Sequence, residues 1–438
     1  MAGNQIVTVQ VSQTIAPAPP TLQATGAFIS QGGTTKAAQS TTLITQLADL
    51  TAILSAPAAN TSLTWTTNVA TVTTTAPHGL PNGASMLVVI AGVTPSTYNG
   101  TFTATVTGTT TFTYPLLTNP GGSASVHGTW QLESAVQLLA MGTTFFAQGS
   151  AQSVYVLELG PDTVANGVTD LTTYITANPG IFYSYLVPRE WDSVSSFIAF
   201  LANYESTTAK TYFFITTTNA NFGNYTAQMK DALTFIEAPS IPVTEFSAAA
   251  PFYVSLNYRP SATDQVTPFA YSFLFGVTPY PVTNNQSLFS AWKAAGVNWV
   301  GTGAEGGIST AILFWGTTMD LRDFIYWYSV DWVQINEKLA LANEVINGSN
   351  NPQAPLYYDQ NGINRLQARA QGVMNSAIAF GLALSPVTVT AVPFATYVVQ
   401  NPSDFPAGIY NGLSVTYTPK RGFKSITFFV DVTDFPLP

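Results

Sequence analysis

The chain has 438 residues, of which only 8% are Asp, Glu, Lys or Arg; its formal net charge is −9 and it has no cysteine. Soluble domains ordinarily carry about 25% charged residues, so much of this surface is expected to be buried by neighbours in an assembly. The acidic balance argues against a nucleic-acid partner, and the missing thiols exclude disulfides, thiolate metal sites and cysteine nucleophiles.

The length predicts several domains, and 46% hydrophobic residues is globular rather than disordered. No stretch reaches the run of about 20 apolar residues that a spanning helix needs, so membrane insertion is not expected. Met1 to Gln5 has neither a basic n-region nor a continuous apolar h-region, so no secretory signal is expected. From Gln5 to Ser12 the chain alternates, with Val7, Val9 and Val11 on one face, which predicts a strand; Pro17, Pro19 and Pro20 stop it. That strand has no partner nearby in sequence and reads as an arm, residues 1–20.

Thr41 to Ser55 and Glu133 to Phe146 read as helical, within flanks 21–62 and 131–152 of one core. Between them, residues 63–130 form a Thr- and Val-rich segment punctuated by Pro77-His78-Gly79, Pro81-Asn82-Gly83, Asn99-Gly100 and Gly121-Gly122, which predicts a small inserted all-β module without a single charge. Its strands are placed at Ala70–Thr75, Ser85–Ile90, Thr101–Thr107 and Thr110–Tyr114. Residues 153–300 alternate apolar strands (Val154–Leu159, Ile181–Val187, Tyr212–Ile215) with amphipathic stretches (Leu171–Ala177, Ser193–Tyr204, Tyr225–Ile236), the order of an α/β domain. Asn284 or Asn285 is placed as the cap of a helix reaching Ala295. The last part, 301–438, opens with the longest helical pattern, Asp320–Ile346, which Asn347-Gly348 should stop, and a second helix over Asn361–Leu384. Strands follow at Val387–Ala391, Leu413–Thr418 and Ser425–Asp431. The fold class is therefore a multidomain α+β or α/β protein of mixed sheets and helices with an inserted small all-β module.

No catalytic, cofactor or metal site assembles from these residues. Gly301-Thr302-Gly303-Ala304-Glu305-Gly306, with Asp323 downstream, has the letters of a dinucleotide fingerprint, but the β-branched and aromatic residues up to Trp315 are no helix to receive a pyrophosphate. His78 and His127 read as turn histidines with no carboxylate in their module to orient them. Asp320, Asp323 and Asp331 read as capping and solvation groups. Phe324, Trp327 and Tyr328 share one helical stripe and are expected in the core. Lys420, Arg421 and Lys424 face an acidic protein partner or guard an edge strand.

Taken together, Ala295-Gly296-Val297-Asn298-Trp299-Val300, Trp315-Gly316-Thr317-Thr318-Met319-Asp320, the long helix with Asp331-Trp332, Asn361-Gly362-Ile363 and the terminal strands resemble the tail sheath proteins of contractile-tailed bacteriophages. The likeness covers the last third well and the α/β middle more loosely. The segments Ala76-Pro77-His78-Gly79-Leu80 and Tyr98-Asn99-Gly100-Thr101-Phe102 are similar to β modules of many tail proteins, a departure from the minimal sheath. The resemblance implies a sheath-like core and a structural subunit of the virion tail, assembled in the host cytoplasm. It implies hexameric rings stacked on a tail tube, partnership with tube, baseplate and tail terminator proteins, and contraction without a cofactor. It further implies that Val7, Val9 and Val11, with Ile426, Phe428 and Val430, enter a sheet shared between subunits. The alternative from the residues is a receptor-binding or adhesive tail protein that uses module 63–130; an enzyme is disfavoured.

Overall fold

The structure, a computed structural model, describes residues 22–225, 229–303 and 309–429. In the first part of the chain the elements are β1 (Gly26–Ser30), β2 (Ser40–Ile44), α1 (Leu47–Thr51), β3 (Ala58–Thr66), β4 (Val69–Thr74), β5 (Ser85–Thr94), β6 (Gly100–Val106), β7 (Thr111–Pro115), β8 (Val126–Leu132) and α2 (Glu133–Ala147). The middle continues with β9 (Val154–Glu158), α3 (Val164–Ala177), β10 (Ser184–Leu186), α4 (Ser195–Leu201), β11 (Tyr212–Thr217), β12 (Ala232–Ile236), α5 (Ala249–Leu256), α6 (Gln286–Ala295), β13 (Asn298–Thr302) and β14 (Ala311–Phe314). The last part holds α7 (Phe324–Asn350), α8 (Gln360–Ala379), β15 (Val389–Ala391), α9 (Phe394–Gln400), α10 (Asp404–Ala407) and β16 (Leu413–Val415).

One eight-stranded sheet, ordered β14-β13-β12-β11-β10-β1-β9-β2, organises the molecule. Its interior pairs are parallel, and β14 and β2 close the two ends antiparallel. A parallel sheet covered on both faces needs strands apolar on both faces, and β1, β11 and β12 are buried along their whole length. Side chains alternate between two cores: Phe28, Tyr212 and Phe214 meet α2, α5, α7 and α8, whereas Ala27, Ile29, Phe213 and Ile215 meet α3, α4 and α6.

Several sequence expectations are corrected here. Thr41–Ile44 is strand β2 rather than helix, because its Thr-Thr-Leu-Ile run supplies a half-buried edge beside β9. Ala232–Ile236 is strand β12 rather than the end of a helix; a short apolar run buried on both sides has no period that separates the two. Strand β1 was assigned to no element, yet it lies in the middle of the sheet between β10 and β9. Its first residue must be small: a Cβ on Gly26 would stand 2.7 Å from both Leu256 and Phe252. The helix expected from Asp320 begins at Phe324 and passes through Asn347-Gly348 to Asn350. Gly348 serves close packing there, since a Cβ would lie 2.4 Å from that of Leu356. Asn285 does precede α6, but its side chain donates to the carbonyl of Pro281 and caps nothing.

The uncharged segment forms a closed barrel, β3-β4-β7-β6-β5-β8. Leu63, Val72, Val88, Ile90, Phe112 and Tyr114 fill it. The barrel spans Ala58 to Leu132, because the first and last strands, which the turn residues did not delimit, pair with each other through Ala58 and Trp130. Leu132 ends β8 and is also the N-cap position of α2, so the barrel is joined to the core without a linker on that side. The arm over Gln5–Ser12 lies outside the described residues.

Candidate assembly surfaces

The C-terminal tail is held by the body up to Lys424, and residues 425–429 are exposed. Pro419 bridges to Ala383, and the half-buried Lys420 donates its backbone N–H to Leu382 O at 3.0 Å. The Arg421 guanidinium lies 5.1 Å from the Tyr326 ring centroid. Lys424 forms an ion pair with Asp323 and stands over the Trp315 ring. From Ser425 to Phe429 no residue belongs to a strand, although this segment was expected to be one. Among the described residues it has no ladder partner. Ile426 is 80% exposed, Phe428 85% and Phe429 89%. Apolar side chains at that exposure, without a partner for the backbone between them, are what an unpaired strand presents. Val430, like Val7, Val9 and Val11, lies outside the described residues.

The other end of the described chain is held by the body. Leu22 is buried, and Gln23 Nε2 donates to Tyr328 O at 2.9 Å. Tyr328 and Asp323 are five positions apart on or beside α7, so Gln23 and Lys424, near the two ends of the described chain, both reach the start of one helix. Next to the tail root, a cavity of about 530 Å³ is lined by Val254, Pro268, Tyr271, Phe273 and Phe423, of which Phe273 and Phe423 are largely exposed.

Of the three basic residues assigned to a partner, Lys424 is thus engaged within the chain and Arg421 is stacked. Asp323 is the group that Lys424 pairs with; it occupies the N-cap position of α7 without a side-chain cap. Asp320 accepts from Trp327 Nε1 at 2.9 Å and lies before the helix. Phe324, Trp327 and Tyr328 are buried, as their spacing predicts.

Asp331 is the clearest miss. It is a core residue, not a solvated one, and its Oδ2 accepts from Tyr183 Oη at 2.9 Å and Tyr212 Oη at 2.8 Å. Burial raises its carboxyl above the usual range, opposed by Lys230, Lys210 and the two tyrosines. Lys230 is also buried; its Nζ donates to Ala209 O at 2.6 Å and lies 4.6 Å from the Trp327 ring. Its pKa is lowered by burial. Beside it Asp231 is wholly buried, neither carboxylate oxygen has a hydrogen-bond partner, and burial pushes its pKa up to about 8. The one sequence signal for this cluster was a Lys-Asp pair interrupting an apolar stretch.

The remaining candidates have structural roles. Gly301 lies within β13, paired antiparallel with Ile312 of β14, so the glycine-rich letters begin in a strand and the next described element is a strand rather than a helix. A Cβ at Gly301 would stand 2.6 Å from the Phe314 ring. His78 sits in a turn and packs edge-on against Trp130 and Phe112, with Nδ1 accepting from Leu80 N at 3.1 Å. His127 is in strand β8 rather than in a turn, opposite Val93. Among the described residues no group of three or more His, Asp and Glu could hold a metal ion, and no helix is long and apolar enough to cross a membrane.

No family model and no curated protein matches the sequence. Solved structures do. A chain of the anti-feeding prophage baseplate overlays with a TM-score of 0.54 at 12% identity, covering 98% of this chain and all of that one. A chain of the anti-feeding prophage helical sheath in its contracted state overlays with a TM-score of 0.50, at the same identity and coverage. At such identity the likeness concerns the fold, and over nearly its whole length this chain has a contractile-sheath-like fold.

Proposed function

We propose that the chain is a structural subunit of a contractile tail sheath, which polymerises around a tail tube as stacked hexameric rings. The observation that carries this reading is the tail: on a sheath-like fold, an apolar segment with Ile426, Phe428 and Phe429 exposed leaves the body unpaired at Lys424. Addition of a strand to a neighbour's sheet edge satisfies its backbone and buries its side chains together. The N-terminal alternation of Val7, Val9 and Val11 is the complementary strand, and Gln23 and Lys424, near the two ends of the described residues, both contact the start of α7. Contraction is then a change between two packings of the subunits in which these strand links persist while other faces slide, and it consumes no nucleotide if the extended state is assembled metastable. Tube, baseplate and tail terminator proteins are its partners in the virion tail.

The test is negative-stain electron microscopy of the expressed chain and of a deletion of Met1 to Ser12. The full chain should form tubes or stacked rings, and the deletion a folded protein that forms neither. Tubes of normal length from the deletion would reject strand exchange; monodisperse small oligomers from the full chain would reject the sheath.

A further inference from the structure

A cavity of about 260 Å³ lies where the barrel meets the core, walled by Ser85, Leu87 and Thr103 of the barrel and by Ser134, Asp162 and Glu190 of the core. Two carboxylates converge beside it. Gln137 of α2 donates from its one amide nitrogen to Glu133 Oε2 and to Glu190 Oε2, and its Oε1 accepts from Arg189 N at 2.9 Å. A primary amide has two N–H groups, so Gln137 has no donor left for another acceptor. Arg189 hydrogen-bonds neither acid: Nε and Nη2 go to Glu237 at 2.8 and 2.9 Å and Nη2 also to Glu245 O at 2.9 Å, so its charge reaches Glu133 and Glu190 only through space.

The charged groups around this pair are Arg189 with its partners Glu237 and Glu245, and Asp162, all from the core, and none from the barrel, which has no Asp, Glu, Lys or Arg between Ala58 and Leu132. The barrel's titratable side chains besides its tyrosines are His78, in the loop before β5, and His127, in β8. Glu133 is also the first residue of α2, directly after the strand that ends the barrel.

We propose that this junction is a proton-controlled seat for the barrel: one proton on the Glu133–Glu190 pair lets both carboxyls share Gln137, and its loss separates them and loosens the barrel on the core. Burial and the Glu190 charge push Glu133 up to about 7. The sign follows. A folded-state pKa above the unfolded value contributes stability that is present at acid pH and is lost as pH rises through about 7.

The test is hydrogen–deuterium exchange of the full chain between pH 5.5 and 8.5, with rates corrected for intrinsic chemistry. Protection at residues 85–88 and 131–137 should fall about ten-fold or more between pH 6 and 8, the equivalent of one pKa unit. The measurement is made in an Asp231→Asn background, which removes the slope of the buried acid beside β11, and there residues 212–217 in β11 should keep their protection. In Glu133→Gln the junction should stay protected throughout, and Glu190→Gln provides the same readout if the first variant folds poorly. A flat profile at the junction with Glu133 and Glu190 intact, an equal fall in either Gln variant, or a parallel fall in β11 in the Asp231→Asn background would overturn the proposal.

Discussion

Asp231→Asn isolates the energetics of the buried cluster under the sheet. The wild-type carboxyl is fully buried with no hydrogen-bond partner, and its pKa stands at about 8 against an ordinary 3.8. The folded protein therefore holds a proton that the unfolded chain releases above its ordinary pKa. Stability from this group is complete at acid pH and declines by about 1.4 kcal/mol per pH unit up to the folded value. Asparagine has nearly the same shape and no proton to lose, so the variant should lack that slope. Over four units the difference approaches about 5 kcal/mol, an upper bound because water penetration and relaxation reduce such penalties. Denaturant unfolding of both proteins at pH 5, 7 and 9 is the assay. The variant should gain little at pH 5 and be several kcal/mol more stable at pH 9, by roughly the amount the slope dictates. A stability difference that stays constant across this range would refute the assignment of a protonated Asp231.

Three further outcomes follow from packing. Gly26→Ala places a Cβ 2.7 Å from Leu256 and Phe252 in the middle of the sheet and should cost about 1–3 kcal/mol in unfolding free energy, read by thermal or denaturant melts. Glu237→Ala removes both acceptors of the Arg189 fork and leaves the guanidinium over the Phe246 ring; the expected loss is about 2 kcal/mol, and an unchanged melt would show the pair to be idle. Asp331→Ala strands Tyr183 and Tyr212 hydroxyls in the core and should cost about 2–4 kcal/mol, whereas either Tyr→Phe change alone should cost about 1 kcal/mol.

What could be read in the sequence was whatever depends on neighbours in the chain. Turn residues at short intervals disclosed four barrel strands, and the spacing of Phe324, Trp327 and Tyr328 disclosed a buried stripe. What depends on distant partners stayed hidden. Asp331 looks like any helical acid until Tyr183 and Tyr212, 148 and 119 positions away, close over it. Strand β1 is five residues without alternation, and only the parallel neighbours on both sides make it a strand. Barrel closure likewise required Ala58 to find Trp130. Lys424 reads as a free charge because Asp323, its partner, is a hundred residues upstream.

The shortage of charge leaves this protein with little electrostatic defence against association, so its sheet edges must be closed in other ways. The barrel has none, being closed. The outer side of β14 is covered by residues 271–274, whose backbone bonds to Ala311 and Leu313 at 2.7 to 3.0 Å. The opposite edge, β2, is five residues long and half-buried. Among the described residues the short edges of β2 and of the β15–β16 pair are left, and the tail after Lys424 is an exposed apolar segment outside any sheet. Replacing Ile426 and Phe428 together by Lys tests that segment as the linking strand. Both side chains are at least 80% exposed, so the folded monomer should change by less than about 0.5 kcal/mol. In a shared sheet the same lysines would each bury an unpaired charge, which costs several kcal/mol per ion and should abolish long polymers. An unchanged melting curve with no tubes separates assembly from folding; tubes of wild-type length would show that the tail is not the linking strand.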